Sequence, residues 1–159
     1  MQSTISTALL LLALSGCEST ASASSTTDPT PASDSTPATS TLNVEIQGLR
    51  SSKGGLIAYL YDSEDAFPKE FDRAVQEKRR PSLVGTSTAL RFTDLAPGTY
   101  ALLVIHDENS NGEMDKNLIG LPKEGVGASK VEKGRPQWSS AKFTVDEHRN
   151  VTVFIQYFL

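Results

Sequence analysis

Ten residues from His106 to Asp115, HDENSNGEMD, concentrate the groups whose types and spacing point to chemistry. Asp107, Asn109, Asn111 and Asp115 set side-chain oxygens at alternate positions, Gly112 permits a sharp reversal, and Glu113 stands where a backbone carbonyl is needed. Through its ninth position this is the pattern of a calcium loop, and hard oxygen ligands of mixed charge suit Ca²⁺ rather than Zn²⁺. Two features depart from that pattern. The twelfth position, normally a bidentate glutamate, is Leu118, and no helical pattern flanks the segment. Glu124, in LPKEG, supplies the missing carboxylate if the chain folds back. The competing reading is a polar β-turn around Asn111-Gly112, a strong hairpin signal by itself.

Other reactive residues are more isolated. His106 adjoins Asp107, but a neighbouring His-Asp pair is not a dyad, and neither Gly-x-Ser-x-Gly nor His-Glu-x-x-His occurs. An envelope enzyme using His106 and the acids around it therefore stands only as a rival reading. GLPKEGVGAS, Gly120 to Ser129, has three glycines, and without a following helix it reads as a structural loop rather than a phosphate cradle. Trp138 offers a stacking face for a sugar ring, although a single tryptophan in a small domain more often belongs to the core or its rim. A carbohydrate- or peptidoglycan-binding module using Trp138 and the glycine loop is the second rival. His148 reads as a solvated turn residue.

The elements that must position these groups alternate with period two. LNVEIQG sets Leu42, Val44 and Ile46 against Asn43, Glu45 and Gln47, the mark of a half-buried strand. GGLIAYLYD is apolar on both faces and so reads as central. STALRFTDL, GTYALLVIHD, AKFTV and VTVFIQYF supply further strands, with turns signalled by APG, NG and DEHRN. In LAPGTYAL a tyrosine after a Pro-Gly turn can bond back to the corner. SEDAFPKEFDRAVQEKRR breaks the pattern: Ser63 can cap, acids lead and bases trail, and Phe67, Phe71, Ala74 and Val75 fall at helical spacing. This predicts a short helix across the end of the sheet. The whole predicts an all-β fold, an antiparallel β-sandwich of immunoglobulin-like or transthyretin-like type with one short helical excursion.

The N-terminal residues read differently. Ala8 to Leu14 is apolar but far short of the roughly 20 residues that span a bilayer, and LSGC follows it. This resembles a bacterial lipobox, with residues 1–16 as signal peptide and Cys17 as the lipidated N-terminus, although MQSTIST contains no Lys or Arg. Between Glu18 and Thr41, 14 of 24 residues are Ser or Thr and none is a large apolar one, so residues 17–41 form a tether and residues 42–159 the domain. Cys17 is the only cysteine, which excludes disulfides and thiolate chemistry in residues 42–159. A net charge of −4 leaves no basic face suited to nucleic acid.

GLRSSKGGLIAYLYDSEDAFP, FTDLAPGTYALLVIHDENSNGEMDKNLIGLPKEGVGAS and RPQWSSAKFTV together resemble the bacterial exported domain-of-unknown-function family 2141. That resemblance implies an exported β-sandwich with no assigned activity, and it brings no catalytic residues. The leading expectation is a lipid-anchored module of the bacterial cell envelope, periplasm-facing or on the surface, which binds or supports rather than catalyses. It is held to the membrane through its N-terminal lipid and stabilised by Ca²⁺. No protein or glycan partner is named by the sequence.

Overall fold

The computed structural model describes residues 39–158. The signal peptide, Cys17 and the tether up to residue 38 lie outside the described residues. Eight strands form two sheets: β1 (Ser40–Gln47), β2 (Gly55–Tyr61), β3 (Gln76–Arg80), β4 (Thr88–Leu95), β5 (Gly98–Asp107), β6 (Gly125–Ala128), β7 (Phe143–Val145) and β8 (His148–Phe154). The smaller sheet has the order β4-β1-β8 and the larger β3-β2-β5-β6, with β7 pairing the start of β5. The sandwich foreseen from the alternation is present. Its pairings are antiparallel with one exception: β1 and β8 run parallel, from Thr41 beside His148 to Gln47 beside Phe154.

Alternation dictates where the main core sits. Leu42, Val44 and Ile46 from β1 and Leu90 and Phe92 from β4 meet Leu56, Ala58, Leu60, Leu102 and Val104 between the sheets. Removing apolar surface from water here is the main stabilising term, at about 25 cal/mol per Å². The opposite face of the larger sheet is also apolar, as every residue of β2 is buried. Ile57, Tyr59, Tyr61, Leu103 and Ile105 pack there under Ala66, Phe67, Phe71 and Trp138. β2 lies between β3 and β5, as its two apolar faces require.

The helix expected over residues 63–80 does not form. Pro68 has no N–H to give to a helical ladder and its ring would crowd the preceding turn. The segment instead makes turns, a single 3-10 turn at Phe71–Arg73, and then the edge strand β3. The helically spaced aromatics are buried all the same. Phe71 stacks on Tyr59 with centroids 4.8 Å apart, and Phe67 meets the edge of Tyr61 at 5.5 Å. Gln76–Arg80, which contains the trailing bases Lys78, Arg79 and Arg80 expected at the helix end, pairs antiparallel with the edge of β2. Its side chains also reach the smaller sheet, where Arg80 donates to the Ala89 carbonyl (2.8 Å) and Gln76 to that of Thr93 (2.9 Å). The one α-helix among the described residues is four residues long, α1 (Trp138–Ala141).

One local forecast holds. Tyr100 donates its hydroxyl to the Ala96 carbonyl at 2.7 Å, closing the corner before β5. The glycine-rich stretch is different: Gly125 and Gly127 belong to β6, and their lack of side chains lets the last strand and the segment after it lie against them. A Cβ on Gly125 would fall 2.5 Å from both Ile155 and Tyr157, and one on Gly127 2.6 Å from the Phe154 carbonyl. His148, read as a turn residue, opens β8 and is exposed.

Candidate functional site

Strand register assembles the site. Gly55 faces Asp107 and His106 faces Gly125, so the loop from Glu108 to Glu124 leaves and returns where β2 and β6 begin. β5 is buried from Tyr100 onward, and Asp107, its last residue, is only 5% exposed.

His106 is fully buried and both its ring nitrogens are engaged. Nε2 lies 2.9 Å from the Lys53 carbonyl and Nδ1 2.6 Å from the Tyr157 hydroxyl. A carbonyl only accepts, so Nε2 carries a hydrogen, and Tyr157 donates to Nδ1. Tyr157 in turn accepts from the Arg50 N–H (3.1 Å), and the Arg50 guanidinium lies 4.3 Å over its ring. Arg50 also forms a two-nitrogen ion pair with Glu108, which accepts from Ser51 as well. Burial pushes the Tyr157 phenol up, whereas the Arg50 hydrogen bond holds the Glu108 carboxyl below the usual carboxylate range. His106 thereby joins the β1–β2 turn to the C-terminal segment. Sequence reasoning missed Arg50, Ser51 and Tyr157, because nothing in their spacing announces a contact across more than fifty residues.

The loop after Asp107 is wound around its own oxygens. Asp107 accepts from the N–H groups of Asn111 (3.1 Å) and Gly112 (2.8 Å), one on each carboxylate oxygen. Asn109 Oδ1 accepts from the Asn111 N–H at 3.0 Å, and Asn111 Oδ1 from the Glu113 N–H at 2.9 Å. Gly112 sits at φ +79°, a conformation that disfavours side chains. The amide nitrogens of Asn109 and Asn111 both donate to Asp115 Oδ2, at 2.7 and 3.3 Å. Partial positive charge from two amides therefore faces a carboxylate that a cation would also satisfy. The Glu113 side chain is exposed, and so is Leu118, at the twelfth position.

Glu124 does fold back. One of its oxygens accepts from the Asp115 N–H at 3.4 Å, while the other, Oε1, is buried without a partner. The residue is 4% exposed. Burial pushes its carboxyl above the usual range and the charges of Asp107 and Asp115 push it further, against the opposing pull of the backbone N–H groups of Asp115 and Glu108. A buried carboxylate oxygen with no donor is costly unless something positive satisfies it. No three His, Cys, Asp or Glu side chains among the described residues stand close enough to form a metal cluster alone. With the asparagine and backbone carbonyl oxygens counted, the loop's potential donors are all oxygens, a set that would suit a hard cation such as Ca²⁺ if both asparagine amides turned.

Trp138 stands apart from this loop by the connections of the chain but borders a groove next to it. The groove, of about 620 Å³, is lined by Phe67, Phe71, Met114, Leu121, Trp138 and Phe158 among others. Trp138 is half-buried, with its ring edge-on to Phe67 at 6.1 Å.

A β-sandwich with an oxygen-rich loop at one sheet end defines the class. A family model described as "Uncharacterized protein conserved in bacteria (DUF2141)" matches residues 44–153, a span that includes the whole loop, Glu124 and Trp138. The chain belongs to this family. No curated protein and no solved structure matches it.

Proposed function

We infer that this protein is a lipid-anchored, non-catalytic module of the bacterial cell envelope whose sandwich is stabilised by one Ca²⁺ in the Asp107–Asp115 loop. Asp107, Asn109, Asn111 and Asp115 supply side-chain oxygens, Glu113 its carbonyl, and Glu124 the closing carboxylate. The observation that carries this reading is the buried Oε1 of Glu124, which has no well-aligned hydrogen-bond partner and feels the charges of Asp107 and Asp115. An ion there offsets mutual repulsion and satisfies the stranded oxygen together. The buried, doubly bonded His106 supports a joint in the fold rather than a catalyst. Anchoring rests on LSGC and the tether that follows it.

Thermal unfolding in chelator against millimolar CaCl₂ tests the ion. At a hundredfold excess over Kd, binding to the native state adds about 2.7 kcal/mol, worth roughly 10 °C in a domain of this size. No shift in wild type would reject the site. Labelling with a radioactive fatty acid tests the anchor: wild type should be marked and Cys17→Ser should not. The groove favours a second reading, a glycan laid against Trp138. Glycan binding that survives Trp138→Ala would reject it.

A further inference from the structure

We propose that the hairpin hanging from the calcium loop inserts its tip into an anionic lipid surface when the ion is bound, an inference that rests on the calcium reading above. Leu118 and Ile119 occupy the middle of a tight turn and are 106% and 78% exposed. Turn centres ordinarily carry polar or small residues. Here two adjacent large aliphatics are held out rather than left loose. The Asn117 side chain accepts from the N–H groups of Ile119 (3.1 Å) and Leu121 (2.9 Å), and Gly120 N–H returns to the Asn117 carbonyl at 2.9 Å. Below the turn, Lys116 bridges to Pro122, and Lys123 N–H donates to the Asp115 carbonyl.

The chemistry of this tip fits a membrane interface. Lys116 and Lys123 are exposed and bracket the aliphatic pair, so apolar side chains enter the acyl boundary while both ammonium groups meet anionic headgroups. Electrostatics makes the contact conditional. Residues 107–124 carry five carboxylates against two lysines, and only Glu108 has an arginine partner. Without an ion the remaining carboxylates repel an anionic surface. A divalent cation held by the Asp107–Asp115 loop cancels the excess at the foot of the hairpin, where Asp115 begins the turn and its N–H already bonds the Glu124 side chain that follows it. The lysines and the Leu118-Ile119 pair then dominate what the membrane meets.

The test uses the full chain with Cys17→Ser, which removes the acyl site and the only native cysteine, and Ile119→Cys labelled with a solvatochromic dye. Vesicles of phosphatidylglycerol with phosphatidylcholine are compared with phosphatidylcholine alone, in calcium and in chelator. The expected result is a blue shift with the anionic vesicles in calcium only. Adding Leu118→Ser, which removes an exposed side chain and leaves the core intact, should weaken partitioning about tenfold or more. Lys116→Gln with Lys123→Gln should weaken it severalfold. A calcium-dependent melting shift without any dye response to anionic vesicles would overturn the membrane contact and leave the ion site standing. Equal responses in calcium and chelator, or on both vesicle types, would also overturn it. So would a blue shift that grows with protein concentration in the absence of vesicles, which would place a second copy over the tip. Loss of both the melting shift and the dye response would reject the ion site itself.

Discussion

Replacing Glu124 by glutamine should act in opposite directions with and without calcium. In chelator, a neutral amide in place of a crowded carboxylate relieves repulsion and can donate to Asp107 or Asp115, so the variant should melt higher than wild type by about 1 kcal/mol of stability. In calcium it should lose the stabilisation that wild type gains. A variant that melted lower in both conditions would show that the second oxygen, Oε1, is also held by the protein. Tyr157→Phe probes the other buried group. It strands His106 Nδ1 without its donor, which costs about 1–3 kcal/mol and should lower the melting point by several degrees without changing calcium affinity. Glu108 sets a pH dependence. Its folded-state carboxyl is held below its unfolded value by Arg50, so its contribution is present above the unfolded value and lost as pH falls through the folded one. Melting curves of wild type and Glu108→Gln between pH 7 and 3 should converge as acid is added. Curves separated by a constant interval would argue against the pair.

Among the elements, β6 is the sharpest test of the packing, because its two tight glycines leave no room for a methyl group. Gly127→Ala should push the segment around Val153–Ile155 off the larger sheet and cost several degrees in melting temperature, whereas Gly134→Ala, with no atom near the added carbon but φ +92°, should cost less. The strands with clean alternation, β1 and β4, were legible because one face meets the core and the other water. β2 was legible as central for the opposite reason, being apolar on both faces. β3 was not, since five polar residues in a row carry no strand signal of their own; it exists because β2 has an edge to pair and because Phe67 and Phe71 cover the sheet just before it. β6 was hidden for a related reason, its glycines having been chosen for the closeness of the C-terminal segment and not for strand propensity. In the loop, local spacing singled out Asp107, Asn109, Asn111 and Asp115, whose side chains do share one hydrogen-bonded turn, and Glu124 could be brought to it only by assuming that the chain returns. The Arg50–Tyr157–His106 chain of contacts could not be read at all, as it joins residues far apart in sequence through tertiary packing alone.

At the scale of the whole molecule, the two sheets depend on one another along a shared edge, where Gln76 and Arg80 cap carbonyls of β4. Arg80→Ala leaves the Ala89 carbonyl to water and opens that strand edge to pairing with other chains, so its main expected effect is faster aggregation at elevated temperature, with a small change in melting point. Light scattering at a fixed temperature below the transition distinguishes the two effects. The parallel pairing of β1 with β8 has a consequence in time. A ribosome makes β1 about a hundred residues before β8, so the middle strand of the smaller sheet must wait, half-paired, until β8 has been added. The domain therefore closes late, its first and last strands clasped together, and a chain that stops short of Phe154 should have no finished state to fall into.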